Sequence, residues 1–232
     1  MTIKTVFFDV GNTLLTPAIP EEKVLCDAAA CLGATLDIAV VSERIPAMYE
    51  YYEELFARDN SIWADDRRAA ETWMSMYEYL CDMVGIPEVG PQVARLGYET
   101  FLDPNSWTTF DDVIPTLLAL KARQLPLGLI SNWDNSLESI IDGLGLRPYF
   151  GVVLSSAVVG LHKPQLEIFE LAMRRMGATK EESMYVGDHI DADIKGAANA
   201  GMKPVLIDRD NNYRDSEEYI RIQDMQELLR YL

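Results

Sequence analysis

Two histidines and three cysteines are the scarcest chemistry-bearing residues among the 232 of this chain. Cys26, Cys31 and Cys81 are odd in number and lack metal-site spacing. That excludes a disulfide framework and a zinc site, and makes a reducing cytoplasm the expected location. His162 and His189 have no partners at ligand spacing, so both are read as non-metal residues. Basic residues are also few: 20 lysines and arginines face 37 acids, for a net charge of -17, and they form no dense run. A phosphate-backbone footprint is therefore missing, and neither nucleic acid nor an anionic membrane surface is an expected partner. No apolar stretch approaches the roughly 18 residues of a membrane span. The apolar run before Asp9 is too short for a signal peptide, so no targeting or anchoring segment is expected.

What is present is ordinary for a compact chain with a sizeable core: 49% hydrophobic and 25% charged residues. The length exceeds one domain of roughly 100–200 residues yet falls short of two, which suits one core with a smaller insertion. Five β-rich runs stand out: Ile3 to Phe8, Leu127 to Ile130, Val152 to Leu154, Met184 to Val186 and Pro204 to Ile207. Helical patterns at Ser136 to Leu144, Leu166 to Met176 and Ala192 to Ala200 separate the last four. That alternation predicts an α/β fold with a doubly wound, Rossmann-like parallel sheet, which binds ligands at the carboxyl ends of its strands. Residues 16–105 break the rhythm, with four helical stretches near 21–33, 38–58, 65–84 and 89–101 and no convincing strand. Pro17 and Pro20 mark one junction and Asp103-Pro104-Asn105-Ser106 the other. The expectation is a core domain of 1–15 and 106–232 with an α-helical cap domain of 16–105 inserted by two linkers.

Four motifs lie at strand ends. Phe7-Phe8-Asp9-Val10-Gly11-Asn12-Thr13-Leu14 carries an acid out of an apolar strand into a Gly-Asn turn, although Asp also ends strands simply by capping turns. Leu129-Ile130-Ser131-Asn132 brings out a hydroxyl and an amide, and Asn132 could equally cap the helix near Ser136. His162-Lys163-Pro164 holds a lysine ahead of Ile168-Phe169-xx-Ala172. Most lysines are solvated surface charges, but a phosphotransfer site needs a cation against its crowded oxyanions. Gly187-Asp188-His189-Ile190-Asp191-Ala192-Asp193 places carboxylates around a helix start. The helix dipole accounts for Asp191 and partly for Asp193, but not for Asp188. Magnesium takes hard oxygen ligands, usually one or two carboxylates, and Asp9 and Asp188 from two strand ends would supply them.

In this order, Asp9-x-x-x-Thr13, Ser131-Asn132, Lys163-Pro164 and Gly187-Asp188-xxxx-Asp193 resemble the haloacid dehalogenase (HAD) superfamily across essentially the whole core. The insertion resembles that superfamily's helical C1-type cap. The resemblance implies a Mg2+-dependent phosphohydrolase of a small phosphorylated metabolite, as a monomer or homodimer. Asp9 would be the covalent nucleophile, Ser131 the donor to the phosphoryl group and Lys163 the neutralising cation. Asp9, Asp188 and the carbonyl of Gly11 would hold the metal. Asp193 would hold a metal-bound water or orient Lys163. Gly11, Asn12, Ser131, Asn132 and Lys163 would surround the phosphate, with Thr13 supporting the loop.

One departure matters. Phosphatases of the superfamily usually carry an aspartate acid/base two residues after the nucleophile, and here that residue is Gly11. Such a group typically contributes about 10²–10⁴-fold in rate, so slow turnover or a restriction to good leaving groups is expected. A glycine at this place can also adopt positive φ, which an aspartate would resist. A dehalogenase is disfavoured because those enzymes need no metal and carry tyrosine at the place of Gly11. A phosphonatase needs a cap lysine, and Lys23, the only lysine between 16 and 105, is in the wrong place. The rival of another class is a catalytically silent binding protein using Trp63, Trp73 and the tyrosine-rich 49–52 and 77–79 stretches as a partner surface.

Overall fold

The structure is a computed structural model that describes residues 2–213 and 219–232. The elements run β1 (Thr5–Phe8), β2 (Leu15–Pro17), α1 (Glu21–Cys31), α2 (Ile38–Arg58), α3 (Asp66–Met83), α4 (Gly90–Phe101), β3 (Trp107–Thr109) and α5 (Val113–Ala122). They continue with β4 (Leu127–Ser131), α6 (Leu137–Gly143), β5 (Val152–Ser155), α7 (Ser156–Val159), α8 (Leu166–Met176), β6 (Ser183–Gly187), α9 (Gly196–Asn199), β7 (Lys203–Ile207) and β8 (Ile220–Ile222).

Six strands form one all-parallel sheet in the order β5-β4-β1-β6-β7-β8. Every residue of β1, β4 and β6 is buried, as the near-continuous apolar runs require when helices cover both faces. Period-2 alternation divides the side chains: Val6 and Phe8 join Leu117, Ile140 and Leu228 on one face, while Phe7 and Tyr185 meet Ile168 and Phe169 of α8 on the other. From β1 the chain passes to β4 and β5 on one side, then returns to β6, β7 and β8 on the other. β1 therefore sits where the winding reverses, the place at which such sheets open a crevice beyond their carboxyl ends.

Helices α1 to α4 close around a separate apolar cluster that includes Val24, Leu25, Met48, Met76, Leu80 and Val93. A smaller cluster joins them to the sheet layer, where Phe56 and Trp63 meet Ala192 beyond β6. The four helical expectations agree with these helices to within three residues at their ends. Several elements were not anticipated. Strands β2 and β3 pair antiparallel where the helical stretch leaves and rejoins the sheet layer, with Pro17 opposite Trp107, so the stretch from residue 16 does begin in a strand. Three-residue strands, one ending in proline, are too short to show alternation. Helix α5 is apolar nearly all round and gives no amphipathic period, and β8 pairs only at the sheet edge. The helix expected over Ala192 to Ala200 is instead a wide π-type turn, Ile190–Lys195, followed by α9. Its start is capped by the His189 ring, which accepts the N–H groups of Asp191 and Ala192.

Candidate active site

The carboxyl ends of β4, β1 and β6, three adjacent strands, deliver Ser131, Asp9 and Asp188 to one spot. Ser131 Oγ donates to Asp9 Oδ1 at 2.9 Å. Lys163, from the segment before α8, places Nζ 2.5 Å from the same oxygen and 2.6 Å from Asp193 Oδ1. A third contact, to the Tyr185 hydroxyl at 3.1 Å, fixes the ammonium from below. Both oxygens of Asp193 are engaged within the chain, because the second accepts the His189 N–H at 3.0 Å. Of its two expected roles, orienting Lys163 is the one this geometry displays. Thr13 does more than support its loop, since its hydroxyl donates to Asp188 Oδ1 at 3.1 Å.

Asn132 does not cap α6. Its amide clasps the backbone of Lys163, accepting the N–H at 2.8 Å and donating to the carbonyl at 3.1 Å, and Asp134 takes the N–H of Ser136 instead. His162 is buried against the Lys163 carbonyl, a structural place. His189 turns toward the cavity, with Nε2 3.3 Å from Glu53 in ion-pair range but not aligned as a hydrogen bond. Burial opposes its charging, but Glu53 and the acids of the sheet end raise its pKa above the ordinary value.

Asp9, Asp188 and Asp193 each offer an oxygen within 4.8 Å of the others. Burial, with the charges of Asp9 and Asp193 added, pushes Asp188 up to about 8, and burial likewise raises Asp9 against the pull of Lys163. Burial alone would neutralise Lys163, but Asp193 and Asp9 keep it protonated, above the usual lysine range. Three carboxylates thus share one ammonium, and a carboxylate that holds its proton near pH 8 for want of positive charge is the donor set a divalent cation satisfies. The Gly11 carbonyl accepts the Thr13 N–H at 2.6 Å, which leaves its second lone pair for a cation.

Above this floor lies a cavity of about 190 Å³, roofed by α1 to α3 and walled by the residues after β4. All four tryptophans of the chain line it. Trp133 lies over Gly11, so that a Cβ there would meet its ring at 3.4 Å. The ring is pinned by Nε1 donating to Ser136 at 3.1 Å and by its own N–H donating to Ser156 at 3.0 Å. Gly11 does not use positive φ; Asn12 does, at 53°, a conformation asparagine tolerates. The strain expected of an aspartate at Gly11 is therefore absent, and an aromatic ring occupies the side-chain space instead. Trp63 is buried, Tyr77 lies in the helical core, and Tyr49, Tyr52 and Trp73 face the cavity, which leaves Tyr79, stacked on Tyr51, as the exposed part of the aromatic surface that the binding-protein reading uses.

Four side chains of the site carried no motif. Tyr185 sits inside β6 as an apparent core aromatic. Trp133 follows the Ser131-Asn132 motif by one residue. Glu21 opens α1, with its carboxylate held only by the Tyr49 hydroxyl at 2.9 and 3.0 Å among the described residues, and burial pushes it up to about 7. Arg209, just beyond β7, braces the loop after β1 by donating to the carbonyls of Asn12 and Thr13 at 3.2 and 2.7 Å while pairing with Asp112. Of these, only Arg209 had a legible signal, a charged residue at the carboxyl end of a parallel strand.

A sequence model for hydrolases described as haloacid dehalogenase-like hydrolase matches residues 3–201. Relatives include glyceraldehyde 3-phosphate phosphatase of Methanopyrus kandleri, 39% identical over 225 residues that cover 93% of this chain and 88% of that protein. Haloacid dehalogenase-like hydrolase domain-containing protein 3 of Mus musculus is 28% identical over 209 residues, or 89% of this chain and 82% of its own length. The HAD-hydrolase YfnB of Bacillus subtilis shares the fold with a TM-score of 0.77 at 21% identity, over 100% of this chain and 99% of its own.

Proposed function

The chain belongs to the haloacid dehalogenase-like hydrolase family, and from that premise we propose that it is a Mg2+-dependent phosphohydrolase of a small phosphorylated metabolite working through an aspartyl-phosphate at Asp9. The observation that carries the reading is the convergence of Asp9, Ser131 and Asp188 from three adjacent strand ends with Lys163 from the segment before α8, beneath one cavity. The M. kandleri relative, named for a small phosphate ester, supports the substrate class.

Asp9 Oδ1 is held by Ser131 and Lys163, which fixes the carboxylate for in-line attack. The Asp9 oxygen–phosphorus bond forms as the leaving oxygen departs; water then cleaves the acyl phosphate, releasing phosphate and restoring Asp9. Lys163 stays charged throughout and offsets the negative charge gathering on the phosphoryl oxygens, to which Ser131 also donates. Magnesium, held by Asp9, Asp188 and the Gly11 carbonyl, would supply charge neutralisation for the phosphoryl group. With Gly11 beneath Trp133, nothing at that position protonates the leaving oxygen, so aryl and acyl phosphates are favoured. Residues 16–105 act as the cap domain that encloses the substrate, and 1–15 with 106–232 as the catalytic core. Among the described residues no helix is long and apolar enough to cross a membrane, and all three cysteines are free.

The test is hydrolysis of aryl, acyl and alkyl phosphates by the purified protein with and without magnesium. Aryl and acyl esters should turn over and chelator should stop them; activity indifferent to chelator removes the metal assignment. The silent binding protein has one observation in its favour, the ring of Trp133 in contact with the place where an acid would start, and the Gly11 variant discussed below separates the two.

A further inference from the structure

The two walls of the catalytic cavity differ in how their acids are countered. On the sheet side Lys163 is the sole lysine or arginine among the described lining residues, and Asp9 and Asp193 already hold it. On the helical side stand two carboxylates, Glu21 and Glu53, and no lysine or arginine. Glu53 has His189 opposite, whereas Glu21 has only a tyrosine hydroxyl. A carboxylate enclosed without a cation is costly, and the partial positive charge at the start of α1 offsets only part of that cost. Burial accordingly raises its pKa to about 7. Around it the surface is aromatic: Trp63 and Trp73 meet edge to face with centroids 6.2 Å apart, and Trp107 and Trp133 lie 4.9 Å apart. Aromatic faces accept either apolar groups or cations. The enclosed carboxylate decides between them, because an apolar group would desolvate it further while a cation would supply its missing partner. A substrate with a second anionic group would meet two acids and no free cation.

We propose that the Glu21 carboxylate and the surrounding tryptophan faces form an ammonium subsite, so that the substrate is a phosphate compound bearing a cationic amine within the span of this small cavity. The proposal rests on the phosphohydrolase reading for the phosphate end, and its test needs no turnover. Since every tryptophan of the chain lines the cavity, ligand entry is read directly from tryptophan emission.

The experiment titrates the magnesium-loaded protein with choline phosphate and with 3,3-dimethylbutyl phosphate, the neutral isostere in which carbon replaces the quaternary nitrogen. Hydrolysis of 4-nitrophenyl phosphate is followed in parallel. Choline phosphate should bind about tenfold or more tightly than the isostere, the scale of a partly desolvated cation–aromatic contact with an added countercharge. The preference should fall to about twofold or less in Glu21→Gln. Equal or weaker binding of the cationic ligand overturns the proposal, with no variant needed, and so does an undiminished preference in a folded Glu21→Gln protein. Preference without hydrolysis of 4-nitrophenyl phosphate supports the subsite and sinks the phosphohydrolase reading; hydrolysis without preference does the reverse.

Discussion

The floor and the roof of the cavity are built on opposite principles. On the floor the ionisable groups are tied to one another and to fixed neighbours: Lys163 touches Asp9, Asp193 and Tyr185, Asp193 uses both oxygens inside the chain, and Asp188 accepts from Thr13. On the roof the surface is aromatic, and Glu21 has one side-chain hydrogen-bond partner among the described residues, Tyr49. A floor held from several directions presents one geometry to every phosphoryl group, which is what stabilising a developing charge without reorganisation requires. A roof with few directional bonds selects by shape and charge what is attached to the phosphoryl group. Chemistry and selection are thus assigned to different segments, and each can be broken separately.

The largest effect expected is on the floor. Asp9→Asn should lower turnover by about 10⁴-fold or more, the scale on which nucleophile deletions act, and should abolish any covalent phosphoenzyme. Folding should survive, since the variant removes one of three crowded carboxylates while Ser131 and Lys163 keep an oxygen to donate to. Radiolabel transfer from an acyl phosphate checks this, and unchanged hydrolysis places the nucleophile elsewhere.

Next comes the seam where floor meets roof. Gly11→Asp introduces a Cβ at ordinary contact distance from Trp133 on a backbone that does not use positive φ, so the fold should tolerate it. Hydrolysis of alkyl phosphates should rise by up to about 10²–10⁴-fold if the ring yields enough for the carboxylate to reach the leaving oxygen. A well-folded Gly11→Asp protein without gain on any ester counts for the binding protein.

The same contrast explains what the sequence revealed. Asp9, Ser131 and Asp188 were legible because strand ends in a parallel sheet are forced together by topology and each follows an apolar run that locates it, and Lys163 because it stands just ahead of the helical pattern of α8. Asn132 was legible as a site residue but not in its task, since a clasp on the backbone of Lys163 depends on where a distant segment lies. The roof was legible only as helices. Glu21, Tyr49 and Trp73 come from three different helices, so no spacing within the chain brings them together; Tyr185 and Trp133 read as core because their polar atoms find partners only in the fold.

A smaller effect, on stability, follows from the crowded floor. Asp188 rises from 3.8 to about 8, and Glu21 from 4.5 to about 7, on folding. Between about pH 4 and 8 the native state therefore binds more protons than the unfolded chain, so this contribution is present at low pH and lost as pH rises. Chelated protein should melt on the order of 5 °C lower at pH 8 than at pH 5.5. Magnesium should flatten that slope by replacing the protons, and Asp188→Asn should shrink it in the chelated protein. A melting temperature that climbs over this window without metal contradicts the crowding.

The smallest effect concerns what holds roof to floor. Asp66, the first residue of α3, accepts the backbone and side-chain N–H groups of Asn135, both at 2.8 Å. Tyr98 of α4 donates to Asp134 at 2.9 Å. Both bonds reach the short segment after β4 that also carries Trp133, so they hold the aromatic wall in register with the helices. Asp66 is half-buried but its bonds to Asn135 are exposed, and water replaces most of what its removal takes away, so Asp66→Ala should cost about 0.5–1 kcal/mol. Tyr98→Phe should cost about 1–2 kcal/mol, because Asp134 is buried and loses a donor. Sharing one segment, the pair should be non-additive, with a coupling of about 0.5 kcal/mol or more in a double-mutant cycle read by denaturant melts. Because neither residue touches the floor, kcat on an aryl phosphate should stay within about twofold while KM rises, the pattern of weakened uniform binding. A fall in kcat with KM unchanged would mean that the helical roof also takes part in the chemical step.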